Sequence, residues 1–319
     1  MAVHAFIFPG QGSQAVGMGR DLAAAFAAAR EVFQEVDDTL GQKLSKLMFE
    51  GPSEDLTLTE NTQPALMAHS LAVLRVLERE GNFALADKAV VVAGHSLGEY
   101  SALAAAGSFS VAQAAKLLRL RGQAMQRAVA PGQGAMAALL GAELALAQEI
   151  CAAAAATPDG RREVIEPAND NGGGQVVISG AKAAVERAIE IARGKGVKRA
   201  LLLPVSAPFH CALMAPAADA MQEALENSRP AAPAVPLIAN VSAAKVTQPD
   251  EIARLLVAQV TATVRWRESV EAMVRLGIDS FVELGAGKVL AGLVRRIVPD
   301  AAAASVGSPA EIEQFLRTL

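Results

Sequence analysis

The sequence predicts an α/β protein: a mostly parallel sheet covered by helices, with a small ferredoxin-like domain inserted into it. Three observations predict this. Short apolar runs rich in Val, Ile and Ala alternate with longer Ala- and Leu-rich segments, the pattern of strands buried between two helical layers. Between residues 131 and 203 the order changes to strand-helix-strand-strand-helix-strand, the split βαβ arrangement. Residues 90–107, "VVVAGHSLGEYSALAAAG", carry an apolar strand directly into a helix through a serine flanked by Gly94 and Gly98. A chain of 319 residues that is 52% hydrophobic and only 4% aromatic has enough apolar material for about two domains of closely packed helices on sheets.

Each element follows from local signals. The first strand, His4 to Phe8, is closed by Pro9-Gly10, and a turn rich in Gly and Gln, "GQGSQAVGMG", leads to a helix ending near Gly41. Asn61 or Thr62 caps the next helix, which puts Pro64 in its first turn, where a missing N–H is harmless; Gly81 stops it. A strand over Ala89–Ala93, the bend at Ser96 and a helix to about Gly107 follow; Ser110 then caps a helix carrying Arg119 and Arg121. "PGQG" at 131–134 marks a boundary. Beyond it come strand 135–140, helix 143–156, a turn at "TPDGRR", strand 163–168, the turn "NDNGGG", strand 175–179, helix 181–193 and strand 197–203. The larger unit resumes at "PVSAPFH" with helix 212–227, strand 236–239, helices 249–260 and 266–276, strand 279–283 and helix 286–297. The domains are therefore 1–130 with 204–319, and 131–203.

Composition excludes several classes of function. A net charge of −4 argues against a nucleic-acid partner, which leaves a basic footprint. Two cysteines, Cys151 and Cys211, are too few for a disulfide framework and fit a reducing compartment. The N-terminus lacks the basic and apolar regions of a signal peptide, and no uncharged apolar run reaches the roughly 20 residues of a membrane span. A cytoplasmic monomer without metal, cofactor or membrane contact is the expectation.

"GHSLG" fits G-x-S-x-G in the context that motif demands, strand before and helix after. A Cβ at Gly94 or Gly98 crowds so tight a turn. The bend lifts the Ser96 hydroxyl clear of the sheet, beside the first amides of a helix, where negative charge is favoured. The alternative is a serine that merely caps the helix. A hydroxyl needs a base to become a nucleophile. Of the four histidines, His4 lies on a strand, His69 inside a helix, and His95 beside Ser96 points the other way along an extended chain. His210 follows a strand in a loop stiffened by Pro204 and Pro208, at the carboxyl edge of the sheet where sites form. No acid stands out to orient it: Asp159 and Asp170 fall in loops of the inserted domain. Cys211, next to His210, is read as a packed thiol. Gly10 and Gly12 let backbone approach a ligand, so the amides of Gln11 and Leu97 are candidate oxyanion donors. "PGQGSQ" lacks the spacing of a dinucleotide fingerprint, and "GAGK" at 285–288 lacks that of a phosphate-binding loop.

Taken together, "FPGQGSQ" at 8–14, "GHSLGEYSAL" at 94–103, "LLRLRGQAMQ" at 117–126, "GAMAALLG" at 134–141, "GQVVISG" at 174–180, "PVSAPFHCALM" at 204–214 and "ELGAGKVLAGLVRR" at 283–296 resemble the malonyl-CoA:acyl carrier protein transacylases, in order and over nearly the whole chain. The resemblance implies an α/β-hydrolase-like large domain with the ferredoxin-like insertion. It implies ping-pong transfer of malonyl from malonyl-CoA, a substrate rather than a cofactor, through Ser96 to the phosphopantetheine thiol of acyl carrier protein, in fatty-acid synthesis. It assigns Arg121 to the malonyl carboxylate, which a guanidinium can hold by two hydrogen bonds; Arg119, two residues away, faces elsewhere. It replaces the triad acid by a backbone carbonyl near Gln259, places Asn169 and Asn171 along the cleft, and makes Phe209 the bulky group that leaves little room for an α-methyl. A serine hydrolase or the acyltransferase subunit of another malonate-handling pathway are the competing readings. Residues 181–199 carry Lys182, Arg187, Arg193, Lys195, Lys198 and Arg199 against Glu186 and Glu190. That stretch is either a docking surface for an acidic carrier or a solvated helix face.

Overall fold

The computed structural model describes residues 4–157 and 159–318. Position 158, in the turn predicted at "TPDGRR", and the first three residues of the N-terminal segment lie outside the described residues. Among the described residues, ten strands form two sheets. The larger contains β1 (His4–Phe8), β2 (Ala89–Gly94), β7 (Leu237–Ile238), β8 (Lys245–Val246), β9 (Ser280–Leu284) and β10 (Ala302–Val306) in the order β10-β9-β1-β2-β7-β8. Every pairing in it is parallel except β7 with β8.

Alternation along the central strands divides the interior in two. Phe6, Phe8 and Val92 face a core built with the helices Ala27–Leu40, Thr59–Gly81 and Val111–Ala128, whereas Ala5, Ile7, Val91 and Ala93 face Trp266, Val270, Met273 and Leu293. A strand buried on both sides has no polar face to show, which is why its sequence is an unbroken apolar run.

The second sheet contains β3 (Gly134–Leu140), β4 (Ile165–Asp170), β5 (Gln175–Ala181) and β6 (Arg199–Leu202), fully antiparallel in the order β4-β5-β3-β6. With the helices Leu144–Ala154 and Lys182–Gly194 it completes the predicted βαββαβ order. Ala137, Leu139, Val176 and Ile178 pack under those helices in a core of their own, while Met136, Ala138 and Val177 on the opposite face join the main core. The fold is thus α/β, with a mostly parallel six-stranded sheet and a small antiparallel four-stranded one.

Several elements differ from the sequence reading. The helix expected up to Gly41 is two helices, Arg20–Ala25 and Ala27–Leu40, broken where Phe26 is extended (φ −125, ψ 127). Two short helices, Leu44–Glu50 and Ser53–Thr57, precede the long one, which begins at Thr59. Asn61 and Thr62 do serve nearby backbone, but behind them: Asn61 donates to the Asp55 carbonyl at 2.8 Å and Thr62 to that of Leu56 at 2.6 Å. Pro64 consequently lies inside the helix. Ser110 caps as expected: its Oγ accepts from the Gln113 amide at 3.1 Å, and Gln113 Oε1 accepts from the Ser110 amide at 2.9 Å. Strand β10 and the helix Pro309–Leu316, neither of which the sequence reading placed although Ser308 and Glu311 form a capping box around Pro309, complete the far edge. No helix among the described residues is long and apolar enough to cross a membrane.

Candidate active site

The turn after β2 begins the site. Ser96 sits at φ 54, a left-handed conformation that costs a residue with a Cβ and is held only by its surroundings. A Cβ on Gly94 would lie 1.9 Å from the Gly98 carbonyl carbon, and one on Gly98 would lie 2.2 Å from the Phe8 carbonyl oxygen. Both glycines are therefore required by space, and Gly98 also lets the helix Gly98–Ala105 start against the end of β1. Asn240, just past β7, braces the bend: its side chain accepts from the Ser96 amide at 2.8 Å and donates to the Gly94 carbonyl at 2.7 Å.

His210 is brought to Ser96 by the loop after β6. Its Nε2 lies 2.8 Å from Ser96 Oγ, and its Nδ1 lies 2.8 Å from the backbone oxygen of Gln259, at the end of the helix Pro249–Gln259. A carbonyl only accepts, so Nδ1 carries the proton and Nε2 is free to accept from the serine hydroxyl. His210 is itself left-handed, at φ 59. Burial, and then the charge of Arg121, push its pKa down to about 3, so the imidazole is neutral, with the Nε2 lone pair open to Ser96 Oγ.

Arg121, 1% exposed, projects from the helix Val111–Ala128 to the same point. Its Nη2 donates to Ser96 Oγ at 3.2 Å and to Gln259 Oε1 at 2.8 Å; its Nη1 donates to Gln63 Oε1 at 2.9 Å. Its Nε makes no hydrogen bond, the guanidinium lies over the Tyr100 ring at 5.7 Å, and no acid among the described residues is in salt-bridge contact with it. A cation held in the interior by two side-chain amides, a hydroxyl and the face of the Tyr100 ring, with no carboxylate in direct contact, is expensive, and an incoming carboxylate relieves that cost. Arg119 turns away and donates to Gln42.

A cavity of about 230 Å³ opens over these groups, lined by Gln11, Ser96, Leu97, Arg121, Asn169, Phe209 and His210 with others. Gln259 stands behind Arg121, fully buried, and does not line it. The amides of Gln11 and Leu97 enter no hydrogen bond among the described residues. His95 donates through Nε2 to Asn171 Oδ1 at 2.9 Å, with Asn169 Nδ2 at 3.5 Å, so its ring engages the two asparagines while lining the same cavity as Ser96. Met125, Met136, Val177, Leu203 and Val205 supply an apolar wall, and half-exposed Val289 marks the rim.

The other residues weighed from sequence take structural positions. His69 is buried with Nε2 on the Gly307 carbonyl at 3.0 Å, and His4 pairs with Ser280 at 2.9 Å. Asp170 forms a buried ion pair with Arg267 at 2.9 Å, and Asp159 binds Arg161 at the surface; neither contacts His210. Cys211 is buried, its thiol on the Pro208 carbonyl at 3.2 Å, and burial pushes its pKa up to about 11. In the basic stretch, Arg187 pairs with Glu163, Arg193 with Glu190 and Lys195 with Glu149, which leaves Lys182, Lys198 and Arg199 exposed without an acid partner among the described residues. Sequence reasoning missed Gln63, Glu99 and Asn240. Glu99 was the most accessible of these, directly after the glycine-serine motif. Asn240 had only its place after a strand.

A protein-family model, acyl transferase domain, matches residues 5–312. The chain is 46% identical over 316 residues to the malonyl CoA-acyl carrier protein transacylase of Escherichia coli K12, covering 99% of each, and 44% identical over 319 residues to that of Bacillus subtilis, covering 100% of this chain and 98% of the relative. The crystal structure of acyl-carrier-protein-S-malonyltransferase from Bartonella henselae superposes with a TM-score of 0.95 at 56% identity, covering 99% of each chain. A malonyl-transacylase in complex with its type II PKS acyl-carrier protein superposes at 0.94 with 42% identity, covering 100% of each. With its cavity built around a strained serine, a neutral imidazole and an unpaired guanidinium, the chain belongs to the malonyl-CoA:acyl carrier protein transacylase family.

Proposed function

We propose that the protein transfers a malonyl group from malonyl-CoA to the phosphopantetheine thiol of acyl carrier protein, in fatty-acid synthesis, with Ser96 as nucleophile. One observation carries this assignment beyond a generic serine hydrolase. Arg121 is a buried cation with no acid in salt-bridge contact among the described residues, 3.2 Å from the same Oγ that lies 2.8 Å from His210. A plain acyl group gives such a cation nothing to bind; the free carboxylate of a malonyl group does.

In the first half-reaction Ser96 Oγ attacks the thioester carbon while His210 Nε2 takes its proton. The amides of Gln11, in the turn after β1, and of Leu97, at the start of the helix Gly98–Ala105, stabilise the oxyanion. The C–S bond breaks, and the departing CoA sulfur takes the proton from His210. In the second half the carrier thiol gives its proton to His210 and attacks the malonyl ester. The proton then returns to Ser96 Oγ as the C–O bond breaks. The Gln259 carbonyl does the orienting work of a triad acid without adding charge beside Arg121. Asn169 and Asn171 border the path of the pantetheine arm, and Phe209 restricts the space around the malonyl α-carbon.

The acidic carrier docks on Lys182, Lys198 and Arg199. In support, a surface groove containing Lys182 shares Leu203 and Val205 with the wall of the active-site cavity. The chain acts as a cytoplasmic monomer of two domains, 1–130 with 204–319 and 131–203; the separate core under the antiparallel sheet supports that division.

The test is a two-step chase. Labelled malonyl-CoA is added first and acyl carrier protein second. Serine-bound label that moves to the carrier supports the assignment. Free malonate as the main product makes the protein a thioesterase, and absence of bound label removes a covalent mechanism altogether.

A further inference from the structure

Beneath Arg121 lies a buried carboxylate that the transfer chemistry leaves unused. Glu99, 1% exposed, is in the first turn of the helix Gly98–Ala105. Its Oε2 accepts from Gln259 Nε2 at 2.5 Å and from the Asn240 amide at 3.3 Å. Gln259 Nε2 also donates to the Ser96 carbonyl at 3.0 Å, and its nearest further acceptor is Asn240 Oδ1 at 3.3 Å. The opposite end of the same amide, Oε1, accepts from Arg121.

An amide has one donating and one accepting end, and the two senses of Gln259 are not equivalent here. Turned over, it would set N–H groups against the Arg121 guanidinium and oxygen against the Ser96 carbonyl and the Glu99 carboxyl. Glu99 adds an acceptor that is charge-assisted whenever the group is ionised, the strongest of the acceptors on that side. Burial pushes Glu99 up to about 7, opposed by its bonds to Gln259 and Asn240 and by the charge of Arg121. An acid bonded directly to Arg121 would compete with a substrate carboxylate. An acid one glutamine away leaves the guanidinium available and still supplies counter-charge.

We infer that Glu99 is a positioning residue for recognition of the malonyl carboxylate: it fixes the sense of the Gln259 amide, which holds the Arg121 guanidinium beside Ser96. The inference rests on the malonyl reading of the site. It predicts a change in acyl selectivity, since small displacements of a recognition group are costly to rate.

The experiment compares Glu99→Met, which keeps volume but removes the acceptor, with Glu99→Gln, whose amide oxygen can accept from both Gln259 and Asn240. Loading kcat/KM is measured with malonyl-CoA and acetyl-CoA, alongside wild type and Arg121→Ala. The Met variant is expected to lose about tenfold or more with malonyl-CoA and less than about threefold with acetyl-CoA, and the Gln variant to keep the wild-type preference within about threefold. Should Met at this position prevent folding, Glu99→Ala carries the same comparison. A wild-type preference in the Met or Ala variant, equal losses with both substrates, or a Gln variant no better than Met each overturn the role of Glu99. If wild type shows no preference for malonyl, or Arg121→Ala retains it, the malonyl reading itself falls and takes this role with it.

Discussion

His210 Nδ1 donates to the backbone oxygen of Gln259 at 2.8 Å, and this single bond sets the tautomer of the ring. A main-chain carbonyl performs here what a carboxylate performs in a serine-histidine-aspartate triad. It orients the imidazole but brings no negative charge to stabilise an imidazolium. Arg121 nearby raises the cost of that charge further. Nitrogen-detected NMR of labelled protein should find His210 as the neutral Nδ1–H tautomer from pH 8 down to about pH 5, with no titration near 6.5, since its pKa is pushed to about 3. The sign for stability follows. Below pH 6.5 the unfolded chain takes a proton at this residue and the folded one does not, so its contribution to stability is lost as pH falls from 6.5 toward 3. A ring that titrates near its ordinary value contradicts the buried geometry.

Arg121 is the residue through which substrate choice should be visible. Arg121→Ala removes charge-assisted hydrogen bonds to a carboxylate, about 2–3 kcal/mol, so malonyl loading should fall by roughly 30- to 150-fold relative to acetyl loading. Arg121→Lys should restore little of it, because an ammonium cannot reach Gln63, Gln259 and a carboxylate in one planar arrangement. Parallel rate measurements with the two thioesters check this, and an equal response to both removes the carboxylate role.

Phe209, 8% exposed in the cavity wall, predicts discrimination at the α-carbon. Phe209→Ala should raise the methylmalonyl-to-malonyl ratio of kcat/KM by about tenfold or more, the scale of a methyl group in a tight pocket. An unchanged ratio would place the α-carbon elsewhere.

Two glycine substitutions separate structure from chemistry. Gly94→Ala puts a Cβ 1.9 Å from the Gly98 carbonyl carbon and should cost several kcal/mol or prevent folding, because backbone rather than a flexible side chain must move. Gly292→Ala, in the helix Val289–Ile297, meets nothing within 4 Å and should stabilise by about 0.5–1 kcal/mol. Denaturant unfolding of the two variants measures both, and a tolerated alanine at 94 would contradict the geometry of the bend.

Much of this was legible because the informative residues are constrained locally. Gly94, Ser96 and Gly98 announce the bend by their spacing between an apolar run and an alanine-rich one, and the Val-rich run before them announces a strand covered on both faces. Ser110 and Gln113 announce a helix start because their bonds are made within three residues. Apart from the helix after Ser308, whose capping box with Glu311 is equally local and was passed over, the failures share the opposite property. Phe26 breaks a helix in an otherwise helical alanine-rich segment, and nothing local in composition distinguishes it. Asn61 and Thr62 carry capping chemistry, yet tertiary packing starts the helix earlier and sends their side chains to preceding carbonyls. The network behind the site was hidden for a similar reason. Glu99 and Gln259 are 160 positions apart, and Asn240 and Ser96 are 144, so only the folded sheet brings them together. Arg121 was within reach through the resemblance, but its lack of an acid partner is a fact of packing.

The central claim is that Ser96 carries the acyl group. Rapid mixing with malonyl-CoA, acid quenching and peptide mapping by mass spectrometry locate the adduct directly. The account predicts a malonyl ester on Ser96, absent in Ser96→Ala and formed far more slowly in His210→Ala. An adduct on Cys211 or any other residue, or loading that survives Ser96→Ala, would contradict it.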